Sequence, residues 1–465
     1  MPSVSVSSIS GFKEFLPEEQ IVLERMKDII RKHYTLFGFA PIEVAAVERE
    51  QVLLSKGGEN TKQIYGIHLL DRADQEHGES ADKRLALHFD LTVPLARYVA
   101  QNYGKLDFPF RRYQIQKVWR GERAQEGRFR EFYQCDIDVI GDGELGLLHD
   151  AEMPAVIHGI FSELQVGKFV IRLNNRKVLN GLLEHFRIPL QFTVPIESEG
   201  TGEPIGGNTF NTLGLIDKME KDGIEETRRR FRDHVHVSDE QVSTLLAVLT
   251  FKDTTAATLK WLQEQQCGEL FCQGVSELAE VVGSMRALGV PSESFTIDLG
   301  ITRGLDYYTG TVYETTLVNH ESIGSVCSGG RFDDLASTFI DRKLPGVGIS
   351  IGLTRLFASL QKHGVIQVGP KCPSKAIIFQ MSPQLREDYF AQAMALRQAG
   401  IPTEVYLEDR KFDRQTKYAV KKRIPLGIFL DAARKEKGVC TVRDFRNGDE
   451  QSVPLKDLAE YLHRK

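Results

Sequence analysis

Nowhere in its 465 residues does the chain contain a run of 18 uncharged apolar residues. A single helix crossing a membrane is therefore not expected. The opening MPSVSVSSIS has neither an apolar segment nor an Arg-rich face, so no signal or transit peptide is expected. Cysteine is scarce, with six residues at 135, 267, 272, 327, 372 and 440 and no Cys-x-x-Cys. That pattern fits a reducing compartment and predicts cytoplasmic placement. Cys267-x4-Cys272 lacks a second pair and His234-x-His236 lacks a carboxylate cluster, so no protein-ligated metal is expected. No Gly-x-Ser-x-Gly elbow is present. The Gly-rich segments lack the Lys-Ser/Thr ending of a P-loop, and none fits a dinucleotide fingerprint. Internal repeats and low-complexity tracts are missing as well.

What is present is ordinary globular composition, 41% hydrophobic and 26% charged. At about 150 residues per domain the length suggests roughly three domains. The net charge of −5 is unevenly spread. Residues 371–465 hold 19 Lys+Arg against 13 Asp+Glu, a balance of +6, which leaves −11 on the rest. Such asymmetry suits a polyanion-binding module at the C-terminal end, or simple variation between domains.

Periodicity predicts a helix over 18–37, a strand leading into a helix over 85–103, and two strands at 111–121 and 129–140 joined by a polar loop. The Gly-rich 197–209 reads as a surface loop and 213–285 as helical, marking 191–291 as an insertion. Strands return at 295–299 and 311–318, Ser328-Gly329-Gly330 reads as a turn, and 347–352 reads as a buried strand entering a helix. After a linker at 362–374, strands and helices alternate, which predicts a compact α/β domain with a mostly parallel sheet.

Three clusters could carry chemistry. In the first, Arg120, Glu122, Arg123, Arg128 and Arg130 crowd a strand–loop–strand that ends in Gln134, Asp136 and Asp138. The last three share one strand face. That face is either a solvated surface or, given the interleaved Trp119, Phe129, Phe132 and Tyr133, the wall of a pocket. The second cluster is Arg303-Gly-Leu-Asp-Tyr307-Tyr308-Thr-Gly, a ligand loop or a packed turn. The third is SGGRFDDL (328–335) with GVGISIGLTRL (346–356), where Arg355 opens a helix and could hold a phosphate.

In this order the clusters resemble the histidyl-tRNA synthetase family of class II aminoacyl-tRNA synthetases. VWRGERAQEGRFREFYQCDID (118–138) is similar to motif 2, RGLDYYTGTVYE (303–314) to the histidine signature, and 328–356 to the glycine segment and motif 3. HFDLTVPLARY (88–98) resembles the amino-acid loop, and GFKEFLP (11–17) the opening segment. Ala45 stands where motif 1 usually has Pro, Thr354 where many members have Glu, and His88 where Arg is common.

The resemblance implies an α+β architecture. A mainly antiparallel sheet flanked by helices is expected from 1–190 and 292–362, a mainly helical insertion from 191–291, and an α/β anticodon-binding domain from 372–465. It implies activation of L-histidine with ATP and Mg²⁺, transfer to tRNA(His), and a homodimer. Asp90, Thr92 and Gln134 should meet the α-amino group, with Leu91 also among the histidine-binding residues, while Asp138 and Tyr308, with neighbouring Tyr307, should read the imidazole. Arg303, Arg120 and Arg355 are the implied catalytic arginines. Arg303 should meet the carboxylate and α-phosphate, and Arg120 and Arg355 the ATP phosphates, with Arg120 also bordering histidine. Glu122 should help hold ATP, and Arg123 and Gln125 should face the extra 5′ guanosine of the tRNA. The same core occurs in the regulatory paralogue of ATP phosphoribosyltransferase, a non-catalytic alternative. That paralogue typically lacks the C-terminal domain and an Arg303-type residue.

Overall fold

The computed structural model describes residues 6–55, 63–70, 83–123, 127–197, 204–302, 308–333 and 336–465. They divide into two compact units, one containing 27–366 and the other 367–465 together with 14–26.

Helix Pro17–Leu36 starts with Pro and two Glu in its first turn and stops before Gly38, whose φ of 76° few other residues adopt. Within the larger unit its Ile30 and Tyr34 are fully buried, and Tyr34 Oη donates to the Cys135 carbonyl at 2.8 Å.

The larger unit is built on an eight-stranded sheet. Its strand order is Ala40–Pro41, Phe110–Trp119, Glu131–Ile140, Gly346–Gly352, Cys327–Phe332, Thr311–Leu317, Phe169–Asn175 and Phe295–Ile297. Only the pairs at the two ends are parallel; the others are antiparallel. Period-two alternation gives the central strands two chemically different faces. Cys135, Ile137, Val139, Val347, Ile349 and Ile351 form an apolar, buried face. Gln134, Asp136, Asp138, Gly348 and Ser350 occupy the other face. Helix Leu148–Leu164 is tied to the sheet by Arg331, whose Nε lies 3.1 Å from both Asp150 carboxylate oxygens, and by Tyr313 Oη on the Asp150 carbonyl.

Two sequence expectations change here. Ser328-Gly329-Gly330 is not a turn but part of a central strand. A Cβ on Gly329 would stand 2.1 Å from the Gly348 carbonyl, so these glycines serve close strand approach rather than chain reversal. The supposed loop 197–209 is also partly a strand, since Pro204–Asn211 pairs antiparallel with Gln191–Glu197. The cross-strand pair Phe192–Phe210, with centroids 5.7 Å apart, anchors that ribbon. Glycine had masked its alternation. Helices then fill 213–287, and the last of them, Glu269–Ala287, joins the sheet region through Glu277, which accepts from Asn175 Nδ2 at 3.0 Å.

The smaller unit carries five strands in the order Thr403–Val405, Ala376–Ile378, Leu426–Phe429, Val439–Asp444 and Glu450–Pro454. The first three are parallel and the last two antiparallel, so the sheet is mixed rather than mostly parallel. Glu450–Pro454 was missed because it is an edge strand with one buried apolar residue, Val453, and no hydrophobic alternation. Tyr389 is buried in the core, where its hydroxyl accepts from the Met381 and Ser382 N–H groups and donates to the Leu430 carbonyl.

Candidate active site

The sheet's polar face is assembled by register. Asp138 lies between Arg112 and Gly348, Asp136 between Gln114 and Ser350, and Gln134 between Gln116 and Gly352. Gln134, Asp136 and Asp138 are only 8%, 3% and 3% exposed, so this is no solvated surface. Buried polar groups need partners, and these have them. The fully buried Arg112 pairs with Asp138 Oδ2 at 2.5 Å. Gln134 Nε2 donates to Ser350 Oγ at 2.7 Å, and Ser350 Oγ donates to Asp136 Oδ1 at 2.5 Å.

Next to this row stands the start of helix Thr92–Asn102. Asp90 is buried, and its Oδ1 accepts from Val93 N–H at 3.2 Å. Its Oδ2 is buried with no hydrogen-bond partner among the described residues. Leu91 is fully buried beside it. Arg120 is held by the Phe89 carbonyl (3.0 Å to Nε) and packs over the Phe132 ring, with a terminal nitrogen 3.5 Å from Gln134 Oε1. Thr92, Asp136, Asp138, Tyr308, Gly348 and Ser350 border a small cavity. Tyr308 lies against Gly330, where a Cβ would come within 2.9 Å of its ring.

The charges in this pocket are strongly perturbed. Burial pushes the Asp136 carboxyl up to about 7, with Arg112 pulling it back and Asp138 adding to the rise. Burial likewise lifts Asp90 to about 6, opposed by the Val93 N–H and Arg120. Asp138 is also raised by burial, against the pull of Arg112. Three carboxyls meet two guanidinium groups here, so the ionised pocket has one negative charge in excess. Such a site suits a small ligand bearing a cation.

The remaining expected residues lie around the hairpin. Glu122 is half-buried, 3.6 Å from Arg128, and its carbonyl accepts from Arg130 Nε at 3.1 Å. Arg123 is exposed. Arg355 sits in the first turn of helix Leu353–Lys362, donates to the Ile323 carbonyl, and lies close to Gly127 at the far end of the hairpin loop. Thr354 Oγ1 accepts from the Tyr133 N–H at 2.9 Å, which links that helix to the hairpin. Gln125, Arg303 and Tyr307 fall outside the described residues. The structure thus brings Asp90, Thr92, Arg120, Gln134, Asp138 and Tyr308 to one place. It adds Arg112 and Ser350, which sequence reasoning missed. Arg112 could have been found from its two-residue spacing to Gln114 and Gln116, and Ser350 as a lone hydroxyl in an apolar strand.

A larger hollow of about 720 Å³ lies elsewhere, lined in part by Glu48, Arg97 and Phe339. Its Glu48 and Arg97 are already paired at 2.8 Å, and it gathers no comparable set of buried carboxyls. Among the described residues no group of three or more His, Cys, Asp or Glu is placed to hold a metal, and no helix is long and apolar enough to cross a membrane.

Residues 11–193 and 218–356 match the family described as Histidyl-tRNA synthetase, and 375–465 match the family described as Anticodon binding domain. A histidine–tRNA ligase of Clostridium tetani is 42% identical over 462 residues, covering 99% of this chain and 98% of that protein. The crystal structure of histidyl-tRNA synthetase from Nostoc sp. PCC 7120 superposes with a TM-score of 0.86 at 39% identity, covering 99% of this chain and 100% of the other. An ATP phosphoribosyltransferase regulatory subunit/histidyl-tRNA synthetase from Bacillus halodurans shares the fold, with a TM-score of 0.69 at 20% identity over 90% of this chain and 97% of its own. With the full-length identity to the ligases and the matched C-terminal region, the chain belongs to the histidyl-tRNA synthetase family.

Proposed function

We propose that this chain joins L-histidine to tRNA(His) in two steps. A histidine carboxylate oxygen first attacks the α-phosphorus of ATP in line, forming histidyl-adenylate and releasing diphosphate. A ribose hydroxyl at the 3′ end of the tRNA then takes the histidyl group, and AMP leaves. The observation that carries this reading is the buried acidic pocket, with the unpartnered Asp90 Oδ2 near Gln134 and Asp138. An α-ammonium group supplies the missing donor.

In this reading Asp90, Thr92 and Gln134 hold the ammonium, with Leu91 fixing the turn between the first two. Asp138 has one oxygen taken by Arg112. Its Oδ1, directed over Gly348, accepts from one imidazole nitrogen, and Tyr308 serves the other, with Tyr307 beside it. Arg303 bridges the histidine carboxylate and the α-phosphate. Arg120 and Arg355 grip the triphosphate, and Glu122 helps hold ATP. Two anions must approach for adenylation, so fixed guanidinium forks and positioning do the work, with no protein nucleophile. Mg²⁺ arrives with the triphosphate as part of the substrate. Arg123 and Gln125 face the 5′ guanosine of the tRNA.

We assign 1–190 and 292–362 to the catalytic core, 191–291 to a mainly helical insertion and 372–465 to anticodon binding. The working unit is a homodimer in the cytoplasm, a setting in keeping with six free cysteines. The regulatory alternative is disfavoured by the match of 375–465 to an anticodon-binding domain and by near-complete coverage of a ligase. Charging of a tRNA(His) transcript with labelled histidine tests the reading. Histidine esterified at the 3′ end is expected; histidine binding with no charging favours the regulatory alternative.

A further inference from the structure

We propose that Ser350 and Asp136 are positioning residues that fix which way the Gln134 side-chain amide faces, and so set the affinity of the site for the ligand's α-ammonium group. This inference rests on the reading that Gln134 meets that group.

The two ends of a glutamine amide have nearly the same size, so only their neighbours decide the orientation. Here the neighbours form a directional chain. At pH 8, above the value of about 7 to which burial lifts it, the Asp136 carboxylate is ionised and can only accept, which claims the single Ser350 proton at 2.5 Å. With its proton committed, Ser350 Oγ must accept, and it accepts from Gln134 Nε2 at 2.7 Å. Gln134 Oε1 is then left pointing away from Ser350 and toward Arg120, 3.5 Å from its terminal nitrogen. An oxygen presented there attracts an ammonium group. The flipped amide would aim two N–H groups at two cations. Register supports the arrangement, because Ser350 is directly opposite Asp136, and Gly352, with no side chain, is directly opposite Gln134.

The test uses the full-length protein and three ligands at pH 8. L-histidine carries both amine and carboxylate, histidinol lacks the carboxylate, and imidazolepropionate lacks the amine. Ser350→Ala is expected to weaken histidine and histidinol about tenfold, the scale of one hydrogen bond to a charged group. Imidazolepropionate should stay within about twofold of the parent. In kinetics the KM for histidine should rise, with kcat and the KM for ATP nearly unchanged. Ser350→Thr, which keeps the hydroxyl, should restore affinity. Asp136→Asn combined with Ser350→Ala should cost no more for the amine ligands than the larger single effect, as expected of one shared chain. Unchanged binding of all three ligands by Ser350→Ala, or equal loss of all three, would overturn the proposal. Gln134→Ala separates the layers. An amine-specific loss there, with none in Ser350→Ala, rejects only the orienting chain. No amine-specific loss in Gln134→Ala rejects the underlying reading as well.

Discussion

Asp138 and Gly348 face each other on paired strands, and a Cβ at position 348 would stand 2.1 Å from Asp138 Oδ1. The space left by that missing methyl is what lets the carboxylate reach the cavity. Gly348→Ala is expected to lower kcat/KM for histidine by at least about 100-fold, because a site built around a hydrogen bond loses heavily when the bond is misplaced. The Ile137 carbonyl lies 2.8 Å from the same point, so the melting temperature should fall too. Steady-state kinetics with a thermal melt check both effects.

Arg112 and Asp138 form a buried ion pair, and removing one partner strands the other. Asp138→Asn should therefore cost about 3–5 kcal/mol of stability as well as histidine recognition. Denaturant unfolding measures the first effect. Comparing the KM shifts for histidine and ATP measures the second, and histidine should suffer far more.

Asp136 gives a pH signature. Its folded-state value of about 7 lies well above the roughly 3.9 of an unfolded aspartate, so the folded chain keeps a proton that the unfolded chain has released. Stability from this group is fully present below about pH 4 and is lost as pH rises through about 7. Asp136→Asn cannot ionise. Its melting temperature should gain on that of the parent chain from pH 5 to pH 8, and a constant difference would argue against the buried, proton-holding Asp136.

The hairpin, the helix after Thr92 and the strand before Arg355 were legible because period-two and period-3.6 patterns mark them directly. The meaning of the glycines was not. Gly329 and Gly330 read locally as turn formers and Gly348 as one residue of a buried strand, yet all three act through contacts with residues far away in sequence. The edge strand Glu450–Pro454 holds its place by backbone pairing, which leaves no hydrophobic pattern to read. In the site, family motifs pointed to Asp90, Gln134 and Asp138. Their supports, Arg112 and Ser350, become visible only once register sets them opposite those residues.

Helix Phe412–Lys422 exposes Arg414 and Lys421, whereas Lys422 is tied to Glu404 at 2.9 Å and Lys417 lies 4.0 Å from Asp413. Part of the positive charge on this helix is thus neutralised. Arg414→Ala with Lys421→Ala should weaken tRNA binding and lower its salt slope by up to about 2, while histidine-dependent diphosphate exchange stays unchanged. Binding titrations at several salt concentrations measure the slope, and an unaltered slope would remove these two side chains from the tRNA-binding face.

The central claim is that this pocket activates histidine, and ATP–diphosphate exchange reads that step without tRNA. With ATP, Mg²⁺ and labelled diphosphate, L-histidine should drive label into ATP. Histidinol, which has no carboxylate to adenylate, and the other standard amino acids should leave exchange near background. Asp138→Ala should lose most of the histidine-driven signal. Folded protein that shows no histidine-driven exchange, or equal exchange with unrelated amino acids, would contradict the account.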